Sequence, residues 1–187
     1  MTQEAPPRRR HRLPGDPRPE DRLARILRVD HAGEYGATRI YAGQLAVMGR
    51  RRAAVAIRRM AEQEKRHLEA FSALVAARRV RPTALTPLWH AAGFALGAAT
   101  ALLGERAAMA CTVAVEEVID GHYARQAESL GEDEPELRAR IEEFRGDELH
   151  HRAVALEHGA AETLGYGFLS LAIKTGSRLA IWLSERI

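Results

Sequence analysis

The chain has 187 residues, of which 46% are hydrophobic and 5% aromatic, and its formal net charge is +3. This length suits one domain with a full core, and the shortage of aromatic residues favours helix over sheet. The single cysteine, Cys111, excludes an internal disulfide. The small basic surplus lies partly in Arg8–Arg12, which we interpret as a solvated tail, and we expect no secretory signal because no apolar stretch accompanies it.

The chain divides into a tail over residues 1–20 and a helical domain over residues 21–187. The tail is rich in Pro and Arg and cannot bury a core, so we expect it to be disordered. A first helix is predicted from Asp21 to Met48. A second is predicted from Arg51 to Arg79, and it must end before Pro82.

The stretch Pro82–Gly104 carries no formal charge. Thr86 followed by Pro87 predicts a helix start, with Thr86 as the N-cap and Pro87 at the first helical position. The helix approaches the ~20 residues of a membrane span, but its Ala and Gly content favours a buried or membrane-surface helix. The spacing Gly93-x-x-x-Gly97 allows close contact with another helix.

Three more helices complete the predicted order. The fourth runs from Glu105 to Leu130, the fifth centres on Leu137 to His158, and the last, from Thr163 to Arg186, is amphipathic. No stretch alternates as a strand would, so the sequence predicts an all-α fold. The apolar side of the last helix is predicted to consist of Phe168, Leu171, Ala172, Leu179, Trp182 and Leu183.

Two Glu-x-x-His pairs lie inside apolar stripes and are the strongest signal in the sequence. At helical spacing, both the carboxylate and the imidazole of each pair point to the side that the stripe buries. Each pair follows a helix with a further inward glutamate, so the same pattern occurs twice. The six inward candidates are Glu34, Glu64, His67, Glu116, Glu148 and His151.

Four ionised carboxylates in a bundle core would each cost several kcal/mol if left unpaired. Two divalent cations balance these charges, and neutral imidazoles complete the ligand shells, so we predict a dinuclear site. Ligands rich in carboxylate oxygen suit iron or manganese. The same pattern defines the ferritin-like di-iron and di-manganese bundles. We therefore predict a ferritin-like four-helix bundle, with the third and sixth helices as apolar or amphipathic additions.

Asp147-x-x-His150 has the same form as Glu148-x-x-His151 and offers an alternative register. The apolar stripe of the fifth helix favours Glu148 and His151. Glu117 falls off the inward face of its own helix, so we predict that it lies outside the ligand set.

Four further side chains are candidates as partners of the ligands or as substrate contacts. Asp30 lies one turn before the first inward glutamate and is placed to orient a ligand histidine. Tyr123 either faces the metals or packs in the core, and both interpretations stay open, whereas Tyr41 is more typical of core. The candidates are His122, Tyr123, Asp30 and Tyr41, and we expect His31 and His158 to be structural or to contact the ligands.

From about Leu27 to Ile187, the sequence resembles the demethoxyubiquinone hydroxylase family of ubiquinone biosynthesis. One departure is His150, where an acidic residue is expected. The matching stretches are Arg28–Ala37, Ile40–Gln44, Glu64–His67, Val80–Thr83, Pro87–Trp89, Gly93–Gly97, Ala110–Glu117 and Leu183–Arg186.

This resemblance implies a di-iron monooxygenase that hydroxylates the ring of a polyprenylated demethoxyubiquinol to demethylubiquinol, a late step of ubiquinone biosynthesis. One oxygen atom of O2 enters the ring and the other leaves as water, which requires two electrons, from NADH or the quinol itself. No Gly-x-Gly-x-x-Gly fingerprint indicates a tightly bound dinucleotide. The implied ligands are Glu34, Glu64 and His67 for one iron and Glu116, Glu148 and His151 for the other, with Glu64 and Glu148 bridging.

A polyprenyl substrate needs an apolar route from a bilayer to the metals. We expect Pro82–Gly104 and the final helix to rest in the membrane surface, with Trp89 and Trp182 at the interface. Alternatively, these helices cover each other or form a homo-oligomer contact. We expect a peripheral protein on the cytoplasmic face of the bacterial inner membrane, or the mitochondrial matrix face in a eukaryote, with no nucleic-acid partner.

Three rival functions fit parts of the pattern. The uncharged Pro82–Gly104 segment opposes a tRNA-modifying di-iron hydroxylase, which needs a basic groove. Iron storage of the ferritin type does not explain why the chain has that segment. A lipid carrier with a vestigial metal site is disfavoured because all six candidate ligands are present. The prenyl length, the electron donor, the oligomeric state and any lipid-presenting partner protein stay open.

Overall fold

The computed structural model describes residues 18–49 and 51–187. Across these residues it contains six α-helices and one short 3₁₀ turn, and none of the described residues lies in a strand. The all-α prediction is therefore confirmed, whereas most of the predicted tail lies outside the described residues. The helices are α1 (Pro19–Met48), α2 (Ala53–Ala77), α3 (Thr86–Leu102), α4 (Glu105–Leu130), α5 (Pro135–Glu157) and α6 (Tyr166–Ser184), with the 3₁₀ turn at Ala160–Glu162.

The bundle consists of two helix hairpins. Helix α1 packs along α2 and α4 packs along α5, and the hairpins meet through their apolar faces. Two cores fill the bundle, one near each end. They are separate because polar residues interrupt the apolar stripes of all four helices in the middle of the bundle. One core contains Met48, Ile57, Met60 and Met109; the other contains Leu27, Phe71, Leu130 and Ile141. This arrangement is the predicted ferritin-like bundle.

Most helix boundaries lie within three residues of the predicted ones. Helix α1 begins at Pro19, two residues before the predicted start, because the fixed φ of proline suits the first turn. The N-cap of α3 is Leu85 rather than Thr86, whose hydroxyl instead donates to the carbonyl of Thr83 at 2.9 Å. Helix α6 begins at Tyr166 rather than Thr163, because Gly165 adopts a left-handed conformation with φ 71°.

Glycines bring α3 against α1. A Cβ atom on Gly97 would overlap the carbonyl group of Ile40, and one on Gly43 would lie 2.8 Å from the backbone nitrogen of Ala98. Real Cβ atoms almost never approach that closely, so only glycine allows the two backbones to cross here. The contact that Gly93-x-x-x-Gly97 was expected to permit is thus made with α1.

Helix α6 packs on α4, where Ile173 joins a buried cluster with Cys111 and Val115. Its predicted apolar side faces outward, with Phe168 81%, Leu171 61% and Trp182 51% exposed. The expected position of this helix in a membrane surface stays a prediction. Within the described residues, no helix combines the length and apolar character needed to cross a membrane.

Candidate metal centre

Six side chains at the predicted inward positions meet in the middle of the bundle, between the two cores. Each bundle helix contributes one glutamate, and α2 and α5 each add a histidine one turn later. None of the six has more than 3% of its surface exposed. They are Glu34 on α1, Glu64 and His67 on α2, Glu116 on α4, and Glu148 and His151 on α5.

These side chains form two overlapping groups, in each of which the candidate ligand atoms lie within 4.8 Å of one another. Glu64 and Glu148 belong to both groups, as two bridging carboxylates must. The geometry agrees with the arrangement that the resemblance implies, and the role of the residues as ligands stays a prediction. One group is Glu34, Glu64, His67 and Glu148; the other is Glu64, Glu116, Glu148 and His151.

Several buried atoms of the cluster have no hydrogen-bond partner. They are Nδ1 of His67 and one carboxylate oxygen on each of the four glutamates. Each such atom costs about 1–3 kcal/mol, and more if charged, so the cluster requires compensating positive charge. Divalent cations supply that charge, and carboxylate with imidazole suits iron or manganese. The residues therefore fit a pair of such metals.

Crowding of carboxylates changes their protonation. The pKa values of Glu34, Glu64 and Glu116 are raised, mainly because burial disfavours the charged form and secondarily because Glu148 repels a further negative charge. These three carboxyl groups therefore hold protons more tightly than carboxyl groups in water. A metal that binds them as carboxylates must displace those protons.

The histidines act in the opposite direction on Glu148. Burial alone would raise its pKa, but the hydrogen bond with His151 and the ion-pair contact with His67 outweigh burial and lower it to about 2. For His67, burial alone would lower the pKa, but the carboxylates of Glu148 and Glu34, 3.3 and 3.5 Å from Nδ1, raise it to about 10. Both shifts favour a protonated His67 beside an ionised Glu148.

Two residues that the sequence patterns did not reveal hold the histidines. Nε2 of His67 lies 3.0 Å from Oδ2 of Asp147, and Nε2 of His151 lies 3.1 Å from Oε1 of Gln63. Both Nδ1 atoms consequently face the carboxylates. Asp147 and Gln63 each come directly before the glutamate of a Glu-x-x-His pair, and that shared position is the signal that could have identified them.

Both candidate tyrosines donate to glutamates of the cluster. Tyr41 donates its hydroxyl hydrogen to Oε1 of Glu116 at 2.7 Å, and Tyr123 donates to Oε1 of Glu34. Both rings are 2% exposed. Tyr123 thus both packs in the core and contacts the cluster, and Tyr41, a candidate that was more typical of core, does the same.

Asp30 contacts different groups from those expected. Its Oδ1 accepts a hydrogen bond of 2.7 Å from Nε2 of Gln126 and lies 3.6 Å from Nε2 of His122, rather than orienting a ligand histidine. Gln126 also lies 2.8 Å from His122, so the three side chains form one network. This network borders α1 and α4 one turn away from Glu34.

The alternative register Asp147-x-x-His150 does not bring both residues into the cluster. The side chain of His150 is exposed, whereas His151 is fully buried, and Asp147 contacts His67 from outside the carboxylates. Glu117 lies outside the cluster and pairs with Lys174 of α6. His31 is half-buried in α1, and His158 caps α5.

A four-helix bundle whose buried glutamates and histidines form two overlapping groups of candidate metal ligands is typical of the class of ferritin-like carboxylate proteins. The sequence identifies a narrower group within that class. The chain belongs to the family of the ubiquinone biosynthesis protein COQ7, whose sequence model matches residues 21–184.

The chain is similar over most of its length to proteins with named activities. A 3-demethoxyubiquinol 3-hydroxylase of Rhodospirillum rubrum is 60% identical over 177 residues, which cover 94% of this chain and 84% of that protein. The human NADPH-dependent 3-demethoxyubiquinone 3-hydroxylase, named as mitochondrial, is 54% identical over 87% of this chain and 77% of its own length. A mitochondrial 5-demethoxyubiquinone hydroxylase of Saccharomyces cerevisiae is 43% identical over 88% of this chain and 78% of its own.

Proposed function

We propose that the protein is a di-iron monooxygenase that hydroxylates the ring of a polyprenylated demethoxyubiquinol. The observation that carries this proposal is the pair of overlapping Glu and His groups buried in a chain that is 60% identical to a demethoxyubiquinol hydroxylase. In the balanced reaction, a ring C–H bond becomes C–OH, and the second oxygen atom of O2 leaves as water with two electrons and two protons.

In this proposal Glu34, Glu64 and His67 hold one iron, and Glu116, Glu148 and His151 hold the other, with Glu64 and Glu148 shared. The bound iron pair supplies the reductive activation of dioxygen. The chain keeps bulk water away, since every ligand side chain is buried. Its hydroxyl groups fix the carboxylates, because Tyr41 and Tyr123 donate to Glu116 and Glu34.

An apolar cavity of about 340 Å³ supports a lipid substrate. It lies between α1, α3, α4 and α6, and its wall includes Gly33 of α1 and Val115 of α4. These two residues directly precede Glu34 and Glu116, so the cavity borders the helices that carry the ligands. Its predominantly apolar lining suits a prenyl chain better than a polar metabolite.

A second cavity, of about 520 Å³, supports a soluble electron donor. Its lining includes Trp182 and more basic than acidic side chains, namely Arg22, Arg25, Arg125 and Arg178 against Glu117 and Glu185. Guanidinium groups bind phosphate oxygens in a bidentate manner, and an indole ring stacks on flat heterocycles. We propose that a reduced nicotinamide dinucleotide binds there, in agreement with the relatives named NADPH-dependent. Oxidation of the quinol substrate is the alternative source.

The outward apolar side chains of α3 and α6 support a peripheral position at a membrane surface. Leu102 is 75% and Phe168 81% exposed. The proposed location is the cytoplasmic face of a bacterial inner membrane, while the eukaryotic relatives are named as mitochondrial. The same surface is also available to a lipid-presenting protein or a second copy of the chain.

A single-turnover experiment tests the function. The protein is loaded anaerobically with ferrous iron, given a short-chain demethoxyubiquinol and either NADH, NADPH or a chemical reductant, and exposed to ¹⁸O2. We expect one labelled oxygen on the quinol ring. Full iron loading followed by iron oxidation without labelled product would instead point to iron handling or a different substrate.

A further inference from the structure

Gln63 and Asp147 occupy equivalent places in the two halves of the bundle. Each directly precedes the glutamate of a Glu-x-x-His pair, and each accepts a hydrogen bond from the histidine of the opposite pair. Asp147 of α5 thus holds His67 of α2, and Gln63 of α2 holds His151 of α5. Because a histidine that donates through Nε2 presents Nδ1 to the cluster, both contacts fix the nitrogen that faces the metals.

The two acceptors differ in charge although their positions are equivalent. Asp147 is a carboxylate, whereas Gln63 is a neutral amide. A carboxylate that accepts the Nε2 hydrogen makes the imidazole more basic and adds a negative charge near the bound cation. An amide orients the ring in the same way without adding charge. His151 also lacks the face-to-face aromatic contact that His67 makes with Phe144, whose ring centroid lies 3.9 Å away.

We propose that Asp147 and Gln63 are positioning residues that make the two metal positions unequal, so that the position at His67 fills first and binds its metal more tightly. This inference rests on the proposed metal centre and goes beyond it, since neither the ligand set nor the family assignment ranks the two positions. Changes of such partners commonly alter metal affinity by about 10–100-fold, so we expect the two dissociation constants to differ by about tenfold.

The test is an anaerobic titration of the metal-free full chain with Co²⁺. Calorimetry measures the affinities, and proton NMR monitors the paramagnetically shifted imidazole N–H signals during the titration. The signal of each histidine is assigned from its absence in His67→Gln or His151→Gln. In the wild type, the His67 signal should appear with the first equivalent and the His151 signal with the second.

Isosteric variants separate charge from packing. Asp147→Asn should weaken the first site about tenfold, so that both signals grow together. Gln63→Glu should strengthen the His151 position, and the double variant should reverse the order of filling. Glu143→Gln is the matched control, because Glu143 is an exposed carboxylate on the same helix that pairs with Arg140 rather than with a histidine. It should leave the order and the affinities unchanged.

The outcomes distinguish this inference from the proposed function. If the wild type binds two metals with equal affinity, or if the double variant keeps the wild-type order, the inference is wrong while the metal centre stands. An equal effect of Glu143→Gln would also overturn it, because the cause would then be general surface charge. If the wild type binds no metal, both the centre and the inference fall.

Discussion

Tyr41 donates its hydroxyl hydrogen to Oε1 of Glu116 across 2.7 Å, although 75 positions separate the two residues in the chain. The equivalent pair in the other half is Tyr123 and Glu34. Each tyrosine therefore holds the glutamate of the opposite hairpin, as Gln63 and Asp147 do for the histidines. These crossed contacts connect the two hairpins at the centre of the bundle, where apolar packing is interrupted.

We expect Tyr41→Phe to lower the free energy of unfolding by about 1.5–3 kcal/mol, because a buried carboxyl oxygen of Glu116 loses its hydrogen-bond donor. For a chain of this size, this corresponds to a fall of roughly 3–12 °C in Tm. Tyr35→Phe is the control, since Tyr35 is on the same helix and makes an exposed contact with His90. Scanning calorimetry should show a change of only about 0.5 kcal/mol for the control. Equal effects of the two changes would contradict the role assigned to Tyr41.

Adjacent histidines on α5 offer a matched test of the metal ligands. His151→Gln should leave the protein with at most one bound metal, because the second position loses its only nitrogen ligand. His150→Gln should bind two metals as the wild type does, because His150 is exposed. Metal content by mass spectrometry after anaerobic loading measures both. Loss of metal from His150→Gln with full occupancy in His151→Gln would show that the other register provides the ligands.

The placement of the six inward residues followed from helical period alone. An apolar stripe fixes which side of a helix is buried, so a glutamate within it must point inward, as Glu64 and Glu148 do. Charge balance then favoured two cations. The apolar stripes do not include Gln63 or Asp147, and their contacts join helices that are distant in sequence. Only their shared position, directly before the glutamate of each Glu-x-x-His pair, marks them in the sequence.

Periodicity identifies the apolar side of a helix, but it does not say whether another part of the chain covers that side. The sequence therefore left open whether α6 faces a membrane or another helix. Phe168 and Trp182 lie on the predicted apolar side and are exposed. The motif Gly93-x-x-x-Gly97 predicts a close helix contact but not which helix makes it, so the packing of α3 on α1 could not be assigned from the sequence.

Without metal, the protein should become less stable as the pH rises from about 6.5 to 8.5. The pKa of His67, raised from 6.5 to about 10, means that the folded state binds more protons than the unfolded state across this range. The raised pKa values of Glu34, Glu64 and Glu116 act in the same direction. Their stabilisation is complete below the unfolded pKa and declines as the pH rises through the folded one. Glu148, with its pKa near 2, loses its stabilisation only below about 4.5 and does not act in this range.

Calorimetry of metal-free and metal-loaded protein at pH 6.5, 7.5 and 8.5 measures this effect. Bound metal replaces the protons, so we expect the gain in Tm on metal loading to increase with pH. Parallel curves for the two forms would mean that the cluster holds no extra protons.

Gly97→Ala should destabilise the protein by about 1–3 kcal/mol, because the new methyl group would overlap the carbonyl of Ile40 and force α3 away from α1. The apolar cavity shares this wall, so binding of a short-chain quinol should weaken as well. Gly146→Ala is the control: a Cβ atom there meets nothing within 4 Å, and alanine favours helix by about 1 kcal/mol. Chemical denaturation should therefore move in opposite directions for the two variants. A stabilising Gly97→Ala would contradict the close helix crossing.

The outward apolar residues of α3 and α6 should bind a membrane surface. Leu102 and Leu103, at the C-terminal end of α3, are 75% and 73% exposed, and Phe168 of α6 is 81% exposed. Large exposed apolar side chains that form a patch are typical of surfaces that contact a membrane or another protein.

Changing Leu103 and Phe168 together to Gln should reduce flotation with liposomes of bacterial lipid composition by at least tenfold, because about 3 kcal/mol of apolar transfer energy is lost. Val55→Gln is the matched control, since Val55 is 52% exposed but lies on α2 rather than on α3 or α6. Light scattering of the same variants distinguishes the alternative occupant. If flotation is unchanged, and the wild type is a dimer whereas the double variant is a monomer, the surface is a contact between two copies of the chain. A membrane role predicts the reverse, because removing apolar side chains that face lipid weakens flotation and leaves the oligomeric state in solution as it was.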